Sequence, residues 1–419
     1  MKLALITAYP NSPVTLSEYG YHLVKHFRNH PDITELVLLT DTAAGPVFPE
    51  ADGGGCKLTV EACWTFNAWS NVLRIRKAIR RHQPDAVLYN MQFLKFGDRK
   101  IPAALGLLGP WLTRLQGIPV ITLMHNILET VELEQAGITA SPLKKMVYRI
   151  IGTQLTRIIL RSDLVALTIG KYVDILEKKY RARNLALVPH GAFETPPEPD
   201  YRLPEGPMKL LAFGKFGTYK RVEILIEAAE SLRQNTLHDV EIVIAGTDSP
   251  NTPGYLEDVA RRYKHVPNLR FTGYVPEEAV AGLFREAAVA VFPYTATTGS
   301  SGVLHQAGTY GKAVVLPRIG DLAHLVEDEG YRGSYFEPDN PQSLADAMED
   351  ILDSTAYRMH LGQTNYRAAC SLPMSEIVNR YVAYFKALQI KKQVGLPLVL
   401  DEWAPQKSET PQKLINDSV

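Results

Sequence analysis

Short apolar runs alternating with longer helical patterns, twice over and parted by a proline-rich stretch, constrain this 419-residue chain more than any other feature. Alternation of that kind belongs to parallel sheets covered by crossover helices. In the front half, residues 3–7, 36–39, 86–89 and 120–124 read as strands, with 164–168 and 186–189 as further candidates. Residues 18–29, 69–82 and 141–161 carry helical spacing, and Pro31, Pro84 and Pro119 stand where a helix must already have ended. Residues 194–207 hold five prolines among charged side chains, a composition that joins domains rather than filling a core. The alternation then restarts at 209–213, 240–245, 269–272, 289–292 and 313–316.

The expected fold is α/β, with two Rossmann-like parallel-sheet domains facing a cleft. Their bounds read as 1–193 and 208–372, joined by the linker 194–207. A helix at 373–392 is expected to pack back on the first domain, ahead of a polar tail at 393–419. Open parallel sheets bind ligands outside their strand carboxyl ends, so a cleft enzyme is expected, although fold alone names no reaction.

Charge narrows the partners. The chain carries 45 basic and 45 acidic side chains, against the basic excess of a nucleic-acid binder. Residues 1–205 hold 24 basic and 19 acidic groups, so the front is mildly basic and the back mildly acidic. Cys56, Cys63 and Cys370 form neither a disulfide framework nor a C-x-x-C metal pattern, and a reducing compartment follows as the default. The first ten residues have too short an apolar run for a signal peptide, and no stretch is long enough to span a bilayer. The expected location is cytoplasmic, with a peripheral position at the inner face of a membrane as one variant.

Two glycine-rich elements carry the chemistry. In Phe213-Gly214-Lys215-Phe216-Gly217-Thr218-Tyr219-Lys220-Arg221, a strand runs into a cationic turn and then a helix. Amides at that helix start, with Lys215 and Lys220, would suit a diphosphate; a solvated basic turn is the bland alternative. The spacing is not that of a Walker loop. The second element, Thr298-Gly299-Ser300-Ser301-Gly302-Val303-Leu304-His305-Gln306, would aim the amides of Ser301, Gly302 and Val303 at an anion. Its serines could equally be plain helix caps.

These elements resemble the retaining nucleotide-sugar glycosyltransferases of family 4, whose two-Rossmann-domain architecture is called GT-B. The resemblance runs over about 208–352, from Phe213-Gly214-Lys215 and Tyr219-Lys220-Arg221 through Val243-Ile244-Ala245-Gly246, Phe271-Thr272-Gly273-Tyr274-Val275 and Val291-Phe292-Pro293 to Gly311-Lys312-Ala313-Val314-Val315. The front half is similar more loosely, through its first strand and loop, 120–126 and Pro189-His190-Gly191. The resemblance implies a hexosyltransferase whose first domain binds the acceptor and whose second binds a nucleoside-diphosphate sugar, with no cofactor. It places Lys215, where the family usually has arginine, and Lys220 on the donor diphosphate. Gly273, Tyr274 and Val275 fall where backbone meets the nucleotide base, and His125 falls on the histidine facing the transferred sugar. Thr298 and Gln306 replace two glutamates that flank the second element in the family. Gln306 can still accept from ribose hydroxyls, whereas Thr298 removes a carboxylate near the donor sugar.

On the acceptor side, Ser12, Thr15, Ser17 and Glu18 follow the first strand and can hydrogen-bond a hydroxyl acceptor. Basic residues interleave with apolar ones across 143–161, a pattern that fits either contact with an anionic membrane or a core-packing helix with a solvated face. His22, His26 and His30 share i, i+4 spacing but read as helix-surface residues, and no metal site is expected. Two rivals stand: a GT-B epimerase or phosphorylase, which would need no acceptor, and a noncatalytic protein that binds a sugar nucleotide without turning it over.

Overall fold

The computed structural model describes residues 1–12, 14–43, 55–130, 142–235, 238–249, 252–296 and 301–394. Thr298, Gly299 and Ser300 lie outside the described residues, as do 395–419 of the expected tail. The chain divides into two compact units. Over the described residues, the first gathers 1–195, 301–305 and 372–394, and the second 196–296 and 306–371.

The first unit runs β1 (Lys2–Ile6), α1 (Ser17–Arg28), β2 (Glu35–Asp41), β3 (Lys57–Trp64), α2 (Asn71–His82), β4 (Ala86–Met91), α3 (Lys100–Gly106), α4 (Gly109–Arg114), β5 (Val120–Met124), α5 (Pro142–Ile159), β6 (Leu164–Leu167), α6 (Gly170–Tyr180) and β7 (Leu185–Leu187). All seven strands are parallel, in the order β3-β2-β1-β4-β5-β6-β7. Leu3, Leu5, Leu36, Leu38, Leu88 and Ile121 pack on one face, and Ala4, Ile6, Val37, Leu39, Val87 and Val120 on the other. Burial on both faces is why these strands are continuous apolar runs, each fully buried Leu or Ile contributing roughly 2 kcal/mol.

The second unit runs β8 (Met208–Phe216), α7 (Val222–Asn235), β9 (Val240–Asp248), α8 (Tyr255–Arg262), β10 (Leu269–Gly273), α9 (Glu277–Glu286), β11 (Ala287–Val291), α10 (Gly302–Thr309, of which 302–305 belong to the first unit), β12 (Ala313–Pro317), α11 (Gly320–Asp328), β13 (Ser334–Phe336), α12 (Pro341–Leu352) and α13 (Thr355–Cys370). Its six strands are also parallel, in the order β10-β9-β8-β11-β12-β13. The last helix, α14 (Met374–Val394), belongs to the first unit, where Met374, Ile377, Val378, Tyr381 and Phe385 pack with Tyr19, Leu23 and Phe27 of α1 under Leu3 and Leu5.

The sequence pattern misses β3, an edge strand whose Lys57 and Glu61 break any apolar run. The proline-rich stretch lies on the second unit: the Tyr366 hydroxyl donates to the Pro196 carbonyl at 2.8 Å, and a Cβ at Gly311 would meet Pro199 and Tyr201. Among the described residues, no helix is long and apolar enough to cross a membrane.

Candidate active-site residues

In each sheet the strand order reverses between the first strand and the fourth, β1 against β4 and β8 against β11. Connections leave such a point in opposite directions and open a crevice at the strand carboxyl ends. His125 follows β5 at that edge of the first sheet. It is buried, its Nε2 donates to Asn90 Oδ1 at 2.7 Å, and Asn90 Nδ2 donates to Thr7 Oγ1 at 2.9 Å. Adjacent strands thus hold one polar relay from the end of β1 to the imidazole, placing the ring proton on Nε2 and leaving Nδ1 as an acceptor. Burial holds the imidazole well below its usual range, with His190 and Lys95 adding to the effect, so it is neutral at pH 7.

Around it sits a layer of rings. Tyr19 packs edge-on to His125 and His190, each with centroids 4.6 Å apart, and its hydroxyl donates to the His190 carbonyl at 3.1 Å. His190 Nδ1 donates to the Gly191 carbonyl at 2.9 Å, its face stacks on His305 at 4.7 Å, and burial lowers its pKa to about 4. His22 is also in this layer, which corrects the surface reading: it is 2% exposed and stacks on Phe193 at 4.1 Å. His30 lies beyond the last residue of α1.

The loop and helix start after β1 carry the four residues expected on the acceptor side. Ser12 Oγ accepts from the Val14 amide at 3.1 Å, and Thr15 Oγ1 accepts from Gln92 Nε2. Ser17 and Glu18 form the first turn of α1, whose Gly20 lets the helix close on Ala8, since a Cβ there would overlap that carbonyl. Lys95 is a polar group that the sequence pattern did not flag. It is fully buried, donates to the Thr15 carbonyl at 3.0 Å and lies over the Trp64 ring at 5.6 Å. Burial lowers its pKa to about 7, and Asp41 opposes that shift. A lysine in Phe93-Leu94-Lys95-Phe96 carries no spacing that sets it apart from a surface loop.

In the second unit, the turn after β8 is tightly pinned. The Gly217 amide donates to the Lys220 carbonyl, Arg221 to that of Pro293, and Thr295 to that of Tyr219. The Lys220 ammonium sits over Tyr294 at 4.7 Å and Tyr219 at 5.9 Å. Burial lowers its pKa, with Tyr219 opposing. Among the described residues no carboxylate pairs with it. Lys215 is exposed. Behind the turn, α7 starts at Val222, and Glu223 is held by Tyr255 and by Arg262 at 2.8 Å. Gly273 ends β10 with φ 66°, and Tyr274 beyond it is 79% exposed, with Val275 beside it. Ser301 Oγ accepts from the Leu304 amide at 3.4 Å, a capping role, while Gly302 and Val303 open α10 and Gln306 is buried within it.

A cavity of about 610 Å³ lies elsewhere on the second unit, between Pro196, Pro199, Leu203 and the ends of α9 and α10 at Arg285 and Tyr310. Both helices lead into strands there, so it faces the amino ends of the sheet, away from Lys220. Among the described residues, no group of three or more His, Cys, Asp or Glu could hold a metal ion.

Two doubly wound parallel sheets in one chain are the GT-B architecture, and solved structures of that fold match throughout. Sucrose-phosphate synthase from Thermosynechococcus elongatus superposes with a TM-score of 0.70 at 17% identity, covering 93% of this chain and 99% of that one. Anabaena HepE in complex with UDP-glucose gives 0.65 at 16%, covering 92% and 99%. Residues 207–354 match the family described as Glycosyl transferases group 1. A D-inositol 3-phosphate glycosyltransferase of Nocardiopsis dassonvillei is 26% identical over 310 residues, 70% of each chain. The chain is a glycosyltransferase, and its second unit carries the group 1 domain.

Proposed function

We propose that this glycosyltransferase moves a hexosyl group from a nucleoside-diphosphate sugar to a hydroxyl acceptor, with retention of configuration and without a metal ion, as family 4 members do. The observation that carries the reading is Lys220, an ammonium held on two ring faces at the order reversal of the sheet that matches the group 1 family. A half-buried cation with no carboxylate beside it among the described residues gains from an anion that restores its solvation. Together with Lys215 and the amides opening α7, it would neutralise the diphosphate as it departs.

The nucleotide base would lie toward Gly273, Tyr274 and Val275. β10 is two strands from β8, roughly 10 Å away at ordinary strand spacing, which suits the reach from diphosphate to base. Ser301, Gly302, Val303 and Gln306 complete the donor side in this reading. His125, neutral and with Nδ1 able to accept, would take a hydrogen bond from a sugar hydroxyl rather than serve as an acid. The acceptor would be met by the loop carrying Ser12, Thr15, Ser17 and Glu18. UDP-glucose, bound by HepE, is the first donor to try.

The test is product formation from UDP-sugars by wild type and Lys220→Ala in the presence of EDTA, with the anomeric configuration of the product read by NMR. The variant should lose at least ~100-fold in turnover while the wild type is unaffected by EDTA and yields the retained anomer. Undiminished turnover by the variant would remove Lys220 from the donor site. Loss of wild-type activity in EDTA, or an inverted product, would overturn the corresponding part of the reading.

A further inference from the structure

Four consecutive helices of the first unit, α2, α3, α4 and α5, contain eleven Lys and Arg and no Asp or Glu. By contrast α1, α6 and α14 each carry carboxylates. The four are neighbours in space: α2 touches α3 and α4, and α4 touches α5. They cover the face of the sheet opposite α1 and α14, since Ile75, Ile79, Leu107 and Ile159 pack with Ala4 and Ile6. A one-signed run of helices is therefore one surface.

That surface is also apolar where a soluble helix normally is not. On α5, Met146, Val147, Ile150 and Ile151 stand 45–54% exposed at i, i+1, i+4 and i+5, which is one stripe of a helix. Arg149 and Arg157 are exposed beside it, and Lys144 and Lys145 open the same helix in sequence. On α2, Leu73, Arg74, Lys77, Arg80 and Arg81 share one exposed face, and Leu115 projects just beyond α4 with 64% exposure. Arg81 pairs with Glu61 and Arg114 with Asp163, but among the described residues Arg74, Lys77, Arg80 and Arg149 pair with no carboxylate. Apolar side chains flanked by unpaired cations match a surface that is negative outside and hydrocarbon beneath.

We infer that the α2 to α5 layer docks the enzyme on an anionic lipid bilayer, with the α5 stripe entering the headgroup boundary and the arginines and lysines meeting lipid phosphates. An acidic protein or polymer would use the cations without needing the apolar stripe, and a second copy of this layer would oppose like charges. The inference does not depend on the donor reading, because it concerns binding alone.

Full-length protein is sedimented with vesicles of mixed phosphatidylglycerol and phosphatidylcholine and with vesicles of phosphatidylcholine only. Binding is expected to the mixed vesicles and to weaken with salt. A triple variant, Arg74→Glu with Lys77→Glu and Arg149→Glu, should weaken it at least about tenfold. Ile150→Asn should weaken it about fivefold, with the thermal midpoints of both variants unchanged because the sites are exposed. Failure of the wild type to bind mixed vesicles, or equal binding to neutral ones, overturns the inference whatever the variants do. Binding that the triple variant loses but Ile150→Asn retains leaves the apolar stripe out of the contact and overturns its entry into the headgroup boundary. So does a dimer in solution that Ile150→Asn dissociates.

Discussion

Lys95 shows at the scale of one residue what this fold tolerates. An ammonium wholly removed from water costs several kcal/mol unless partners restore its solvation, and here it has one carbonyl, one ring face and the field of Asp41. Because its pKa falls to about 7 in the folded chain, the unfolded state binds more protons between about pH 7 and 10.5, and the cost of burial is relieved as pH rises through that window. Lys95→Met should therefore leave the calorimetric midpoint unchanged or raised at about pH 6, with the difference shrinking by about pH 9. A midpoint several degrees lower at the acidic end would mean that the amine contributes net stability. The relay from Thr7 through Asn90 to His125 shares with Lys95 a lack of sequence signal: its members are 83 and 35 positions apart. Such a constellation exists only once strands pair.

Elements were more legible than their contacts. Strands buried on both faces announce themselves as apolar runs, which is why β1, β2, β4, β5, β8, β9, β11 and β12 stand out, and helices α1 and α2 follow from their one-sided faces. β3 did not, because one side of an edge strand meets water, and the seven-residue α3 and six-residue α4 are too short to show a period. In the turn after β8, Gly214, Lys215 and Gly217 were visible as a motif, but the aromatic seat of Lys220 was not, since Tyr294 lies on another strand connection. The glycines there have a structural duty that can be isolated. Gly246 has φ 139°, and a Cβ would overlap the Gly214 carbonyl at the close of β8 and β9. Gly246→Ala should cost at least ~3 kcal/mol in denaturant unfolding; a loss under ~1 kcal/mol would show that the strand ends can part freely.

For the whole molecule, acid is the condition to which the structure is least suited. His22, His125, His190 and His305 are all buried, with pKa values about 3 for His22, about 4 for His190 and well below the usual range for the others, each chiefly through burial. Between about pH 6.5 and 4 the unfolded chain takes up protons that the folded one refuses, so stability falls as pH falls. His190 by itself accounts for roughly 3 kcal/mol across that window. Thermal midpoints should decline steeply from about pH 6.5 to 4.5, and His190→Gln should flatten the slope; a midpoint level over that range would show that the rings charge in place. The return of α14 to the first unit has a different bearing, on how the molecule is made and recombined. Seven of its side chains, from Met374 to Leu388, complete a core begun by Leu3, so a ribosome must release the chain as far as Leu388 before the amino-terminal unit can close. An exchange of first units between relatives cannot be a simple cut at the proline-rich stretch: the transplanted front must bring its own last helix with it.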